Sequence, residues 1–457
     1  MSSTSDGDTT AADAPSTSAS RAADEPSTSA TKANTGSTIN RLALPACICV
    51  LVDYIGLATV MPALPHHLTN ASLLAPDEVG LWTGFINSAQ FVGVVIGCIL
   101  WGRASDRVGP RKTLLATMAG DVVLFTSTGF ATNPALLLAL RLLVGAFSPL
   151  VPALTYIFEV VPTEKASFAA TLYSYAVIVG LATGNASVVL YEYLGFQGLG
   201  ILSGALAVGA FVQASLLLKH TPAAERPKSA GVGKALRSPN FLTQSTTAFC
   251  MGFFFLARDS MITVDCAQRF GLSAAQTGAV MLCSPLVFFC ATWTVTAVTK
   301  RTGLQLAITI GTLANVLCCF IMSLPAAHGS LGGLIIAFVF SNAAFIFQHV
   351  PNQVRAKMIG HHQTTNGTGS ITGSSRVLWS SGQAVGPAAV LALYAAFGPS
   401  AAWMCMGSVH AATLLLYLML GVNLWRDPWP KAEDAVAVPA AVEVEIAAPA
   451  AEVSTSK

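Results

Sequence analysis

Asp53, Asp121, Arg141, Arg258 and Asp259 are ionisable side chains lying inside apolar runs, where a charge needs a reason. A carboxylate kept unpaired in such a run is costly, which makes it a functional candidate by default. Asp53 is the foremost candidate, able to bind a proton or the positive charge of a small molecule. Its structural alternative is a carboxylate hydrogen-bonded between helices. Arg141 needs a partner, and either Asp121 or Asp53 can serve; protonation of that carboxylate would weaken the pair, the basis of a proton switch. Arg258 and Asp259 are adjacent, and neighbours on a helix point in different directions, so they need not pair with each other. One would face a central cavity and the other its neighbouring helices, the alternative being a structural pair. The amides Asn87, Gln90, Gln348 and Gln383 are further polar groups for the same path. His349, beside Gln348, titrates near neutral pH when unperturbed, although a lone histidine in an apolar helix also serves as a packed hydrogen-bonding residue. Tyr54, Tyr173, Tyr175 and Trp379 suit either an amphiphile-binding surface or a core.

Other chemistries find no support. The pairs His66-His67 and His361-His362 fall on opposite faces of the predicted topology, and each pair alone offers too few metal ligands. Gly231-Val-Gly233-Lys234 lacks the spacing of a phosphate loop. The 10 cysteines show neither disulfide nor zinc spacing and read as small core residues. The expectation is a protein that is not an enzyme and that uses no cofactor and no resident metal.

The elements that position these residues follow from composition. The chain is 53% hydrophobic and 10% charged, against about a quarter charged in soluble domains. Apolar runs rich in Ala, Leu and Val recur from about residue 41 to 425 without strand-like alternation, each long enough to cross a bilayer as a helix. Spans are predicted near 41–63, 80–101, 113–132, 135–160, 166–192 and 197–219, then near 241–265, 272–299, 304–324, 330–353, 371–397 and 401–425. Residues 1–40 and 426–457 are polar, low-complexity tails expected to be disordered. The domains are therefore 41–219, a linker 220–240, and 241–425, the pattern of a transporter built from repeated halves.

Lys and Arg give the orientation. Arg103, Arg107, Arg111 and Lys112 follow span 2; Lys219, Arg226, Lys228, Lys234 and Arg237 occupy the linker region. Lys165, Lys300, Arg301, Arg355 and Lys357 share that side, against Arg269 alone on the other. Both termini and the linker are expected in the cytoplasm. Of the sequons at Asn70, Asn185 and Asn366, only Asn70 would face a lumen.

The loop after span 2 reads Gly102-Arg-Ala-Ser-Asp106-Arg107-Val-Gly109-Pro110-Arg111-Lys112. It resembles the loop signature of the major facilitator superfamily, with Pro110 where the family usually has the first of two basic residues. A charge relay would then run through Arg107 or Arg111 to Glu159 at the end of span 4. Span 1, Asp53-Tyr-Ile-Gly56 through Pro62, is similar to the first helix of the drug:proton antiporter branch, which includes tetracycline exporters and vesicular amine transporters. Arg141-Leu-Leu-Val-Gly145 resembles the family's buried-arginine motif. Span 5 departs from that branch: Gly180 and Gly184 are present without the Gly-Pro step, which span 11 keeps at Gly386-Pro387. The loop Thr299–Gly303 is a faded second copy of the signature without its Asp.

The resemblance implies an all-α polytopic membrane protein of about twelve helices in two six-helix halves, alternating access around a midplane cavity. It also implies proton-coupled export of small organic compounds, amphiphilic or cationic. Two alternatives stay open: a facilitator or symporter for a metabolite or organic anion, with Arg141 or Arg258 as carboxylate clamps, and a transporter-like receptor or scaffold. The expected partners are a small-molecule substrate, protons and the bilayer, with no nucleic acid. A monomer in the plasma membrane or a vacuolar or vesicular membrane is expected.

Overall fold

In a computed structural model of the chain the apolar runs are α-helices, and no strand occurs among the described residues. The structure describes residues 28–71, 73–161, 166–219, 239–363 and 368–424. The helices are α1 (Thr28–Asn70), α2 (Pro76–Val108), α3 (Pro110–Gly129), α4 (Pro134–Ala146), α5 (Leu150–Val160), α6 (Ala166–Ser187) and α7 (Tyr191–Leu217). After the linker come α8 (Pro239–Val264), α9 (Ala274–Thr302), α10 (Leu304–Met322), α11 (Leu331–Gln363), α12 (Thr368–Phe397) and α13 (Pro399–Leu424).

Nine segments among the described residues are individually long and apolar enough to cross a bilayer. One of them, Thr171–Leu217, has 47 residues, about 70 Å of helix, and so holds two crossings. The reversal falls at Gly195, whose φ of 63° a side chain would resist. Helices α3 and α12 complete the set with 20 and 30 residues; α3 carries Arg111, Lys112 and Asp121, which lower its apolar character.

Three departures from the sequence reading have local causes. The stretch 28–40, expected as part of a disordered tail, is the start of α1; once the buried part of a helix exists, adding Ala, Lys and Thr residues to it is cheap. The far end of α1 continues past Pro62 and Pro65 to Asn70, where span 1 was expected to end near 63. Near that end the Thr69 hydroxyl donates to the Pro65 carbonyl at 2.9 Å, a second donor on the same turn. Span 4, expected as one helix over 135–160, breaks into α4 and α5 at Phe147-Ser148-Pro149, because Pro149 lacks an amide hydrogen and disfavours the helical conformation of the residue before it. Residues 220–238 of the linker, the tail 426–457, residues 1–27 and Asn366 lie outside the described residues.

Three apolar clusters form among the described residues. The largest of the first half gathers residues almost wholly from α1 to α7, including Leu57, Met118, Phe125 and Tyr156; that of the second half gathers α8 to α13, including Phe254, Met261, Phe338 and Trp403. A smaller one joins Leu64 and Leu68 of α1 to Ile86 of α2, Leu137 of α4 and Leu199 of α7. The halves meet chiefly through α2 against α12 and α6 against α9. Close packing needs glycine at defined points: a methyl on Gly145 would strike the Gln90 carbonyl of α2, and one on Gly382 the Phe249 carbonyl of α8.

Candidate substrate and proton site

Along α1, Asp53 is reached from the side by the α4–α5 break. The chain turn at Pro149 points Ser148 inward, and its hydroxyl donates to Asp53 Oδ2 at 3.0 Å. Asp53 is 6% exposed and Asp121, on α3, is fully buried with both carboxylate oxygens unpartnered. Arg141 of α4 is equally buried, and none of its three guanidinium nitrogens makes a hydrogen bond among the described residues. Asp53 feels both Asp121 and Arg141 electrostatically. The expected ion pair is thus a neighbourhood without contact: two carboxylates and a guanidinium, buried together, share one hydrogen bond.

The second half handles its charges differently. Arg258 Nε and NH2 both donate to Asp259 Oδ1, at 3.0 and 2.7 Å. NH1 donates to Ser341 Oγ at 3.1 Å and NH2 to Asn342 Oδ1 at 2.7 Å. The Ser284 hydroxyl donates to the same Asn342 oxygen at 2.8 Å. Phe254 and Phe338 lie 5.2 and 5.0 Å from the guanidinium carbon, at cation–π distance. Residues i and i+1 do point apart on a helix, yet the long arginine arm curls back onto its neighbour. Of the two alternatives expected for Arg258 and Asp259, separate roles or a structural pair, the geometry is that of the pair, tying α8, α9 and α11 together.

Of the predicted amides, Asn87 bridges the halves by donating to Ser260 Oγ at 2.9 Å. Gln348 is buried with both side-chain polar atoms unpartnered, and the side-chain oxygens of Gln90 and Gln383 are also unpartnered. His349 stacks on Phe345 at 5.4 Å and meets Trp379 at 4.9 Å, its Nδ1 unpartnered. His66 bonds Thr277 Oγ at 3.2 Å and His67 stacks on Phe196 at 3.9 Å, so both are engaged in packing; the side chains of His361 and His362 lie outside the described residues. Asn185 donates to the Met281 carbonyl at 3.2 Å from a buried position, unlike the exposed Asn70.

In the signature loop, Gly109 has φ 92° and joins α2 to α3 directly. Gly303 repeats this between α9 and α10 with φ 86°. Gly102 is half-buried at its place on α2, and Arg107 is exposed. Arg111 donates to the Ser215 carbonyl of α7 at 3.0 Å, a contact within its own half, and Glu159 is exposed near the end of α5. The side chain of Asp106 lies outside the described residues.

Two residues of the centre were not singled out from sequence. Ser148 was legible only through the Pro149 that follows it. Arg376, on α12, lies close to the predicted start of span 11 and there reads as an interfacial anchor. Its NH2 instead donates across the halves to Tyr54 Oη of α1 at 2.9 Å, and its field reaches Asp53, Tyr173 and His349.

Halves joined at α2–α12 and α6–α9, each with buried charge of its own, are matched by the model of the Major Facilitator Superfamily over residues 46–387. The chain belongs to that superfamily. It is an integral, multi-pass membrane protein with the all-α major facilitator fold. It is 32% identical over 130 residues to multidrug resistance protein MdtG of Proteus mirabilis, covering 28% of this chain and 32% of the relative. The matched stretch is thus about a third of that relative's length, and the likeness agrees with the exporter-branch resemblance of span 1. Among solved structures, a bacterial homologue of the human lysosomal transporter Spinster, inward-facing and unoccupied, superposes with TM-score 0.69 at 14% identity, covering 86% of this chain and 98% of the other. The human organic anion transporter MFSD10 gives 0.62 at 17% identity, covering 83% and 99%. Both carry the fold alone.

Proposed function

We propose that this major facilitator protein is a secondary active transporter that works by alternating access and exports small amphiphilic organic compounds against protons. The observation that carries the reading is the buried group of Asp53, Asp121 and Arg141, held by one serine hydroxyl. Charge left this incompletely compensated is expensive unless it is used. Of the two tasks expected of Asp53, carrying a proton and holding a cationic substrate, its burial and its bond to Ser148 favour the first. The likeness to a multidrug resistance protein supports export. On this reading both termini and the basic loops face the cytoplasm, as the distribution of Lys and Arg supports. The protein then sits in the plasma membrane or a vacuolar or vesicular membrane, and the monomer is the working unit.

The polar bonds between halves support a state closed at the end away from the basic loops. Gln268 Nε2 donates to the Pro76 carbonyl at 2.6 Å, His66 meets Thr277, Asn185 reaches Met281, and the Ala388 amide donates to Ser88 Oγ at 3.0 Å. Rocking about the central contacts would release them.

The test is flux in proteoliposomes under an imposed pH gradient, with organic cations, anions and neutral amphiphiles, and internal pH followed in parallel. Substrate movement opposed to proton movement, reduced at least tenfold in Asp53→Asn, is the expected result. Flux indifferent to the gradient in both proteins would replace the reading with a facilitator. A second reading, transport of an organic anion, has its own observation in Arg376.

A further inference from the structure

The arginines of the spanning region differ in what occupies them. Arg258 is filled by Asp259, Ser341 and Asn342, and Arg269 bonds Asp265 at 3.1 Å and the His328 carbonyl at 3.1 Å. Arg141 is sealed at 0% exposure. Arg376 alone among these is partly exposed and, among the described residues, bonded to no carboxylate: its one hydrogen bond there goes to the Tyr54 phenol, and its Nε is unpartnered. A guanidinium has five donors in a planar fork that fits a carboxylate or sulfonate two bonds at a time.

Its surroundings are aromatic. Trp379 follows three residues later on the same face of α12, and the partly exposed His349 lies 4.9 Å from the Trp379 ring. Phe255, also partly exposed, is 6.3 Å from Trp379. Tyr54 and Tyr173, from α1 and α6, are the partly exposed rings contributed by the other half. Arg376 therefore stands where both halves meet, one helical turn from Trp379, while Asp53 is buried and bonded to Ser148 and Asp121 is fully buried. The charge offered to a small molecule here is positive.

We infer that Arg376, with Tyr54, Tyr173, His349 and Trp379, forms a subsite for the anionic headgroup of an aromatic amphiphile. The inference rests on the transport reading and names its substrate class as aromatic carboxylates or sulfonates rather than cations. Tyr54 occupies one arm of the fork, and a bound carboxylate takes the remaining donors while its ring lies against Trp379 and His349.

Binding is measured apart from flux, so the two readings fail separately. Detergent-purified full-length protein is titrated with 2-naphthoate, 2-naphthamide and 2-naphthylmethylammonium, three probes sharing a ring and differing in charge, and thermal stabilisation is followed. Naphthoate should bind about tenfold or more tighter than the amide, the scale of charge-assisted hydrogen bonds. In Arg376→Gln that preference should fall to about twofold, and Arg376→Lys, which keeps the charge and loses the fork, should lie between. An unfolding temperature near wild type without ligand shows that each variant is folded. Equal binding of the three probes, tightest binding of the ammonium, or no binding of any probe to folded wild type overturns the subsite. So does an undiminished preference in folded Arg376→Gln. Selective naphthoate binding without flux would leave the subsite standing and remove the transporter.

Discussion

The two halves bury arginine and aspartate in comparable numbers and treat them in opposite ways. In the second half Arg258 donates to Asp259, Ser341 and Asn342 and is flanked by Phe254 and Phe338. In the first half Asp53, Asp121 and Arg141 lie in one neighbourhood with a single bond from Ser148. A pair whose donors are filled in one geometry resists any change in that geometry; it can pin helices, but it is a poor place to load and release a proton. A set whose groups stay uncompensated can change protonation without dismantling a network. The difference makes the second-half cluster a structural tie and is the reason the proposed proton route runs through the first-half one, although both look alike in sequence.

The largest expected effect lies in the saturated cluster. Arg258→Met leaves Asp259 buried without its cation and should cost about 3–5 kcal/mol, read as a lost yield of folded protein or a lowered midpoint of thermal unfolding in detergent. The double change Arg258→Met with Asp259→Leu should recover much of that loss; failure to recover would mean the pair is not the main tie. Next come the glycine contacts. Gly145→Ala and Gly382→Ala each force a helix pair apart and should cost roughly 1–3 kcal/mol by overpacking, with similar values in the two halves because the clash is with backbone in both.

The junction glycines test whether the halves share a backbone rule despite different charges. Gly109→Ala and Gly303→Ala place a side chain at φ 92° and 86° and should each cost about 1–2 kcal/mol. A much smaller penalty at Gly303 would break the parallel. The smallest stability change is expected at Asp53. Asp53→Asn keeps an oxygen that can accept from Ser148 and should stay within about 1 kcal/mol of wild type by thermal unfolding, while proton-linked flux is lost. A large destabilisation there would place Asp53 with Arg258 as a structural charge.

Much of the fold was legible because the bilayer leaves few options. The helix count, the broad span positions and the reversal between spans 5 and 6 follow from hydropathy. The break in span 4 was also written in the chain, at Pro149, but hydropathy alone reads 134–160 as one apolar run, and its end points came out nearly right for that reason. The start of α1 at Thr28 was hidden by composition, since a polar Ala/Thr/Lys stretch carries no signal for a helix that is extended by its neighbour.

The sequence by itself determined which side chains are chargeable within the bilayer, that a glycine stands at each α2–α3-type junction, and that a charged loop with the superfamily pattern follows span 2. Those properties depend on residue type and local spacing. Only the tertiary structure decided that Arg258 closes on Asp259, that Arg141 stands near Asp53 without bonding it, and that Arg376 crosses from α12 to Tyr54. Each of these depends on where a long side chain ends among three or four helices far apart in the chain. Hydrogen-bond geometry is settled to within tenths of an ångström by helix packing, and packing is a property of the whole bundle.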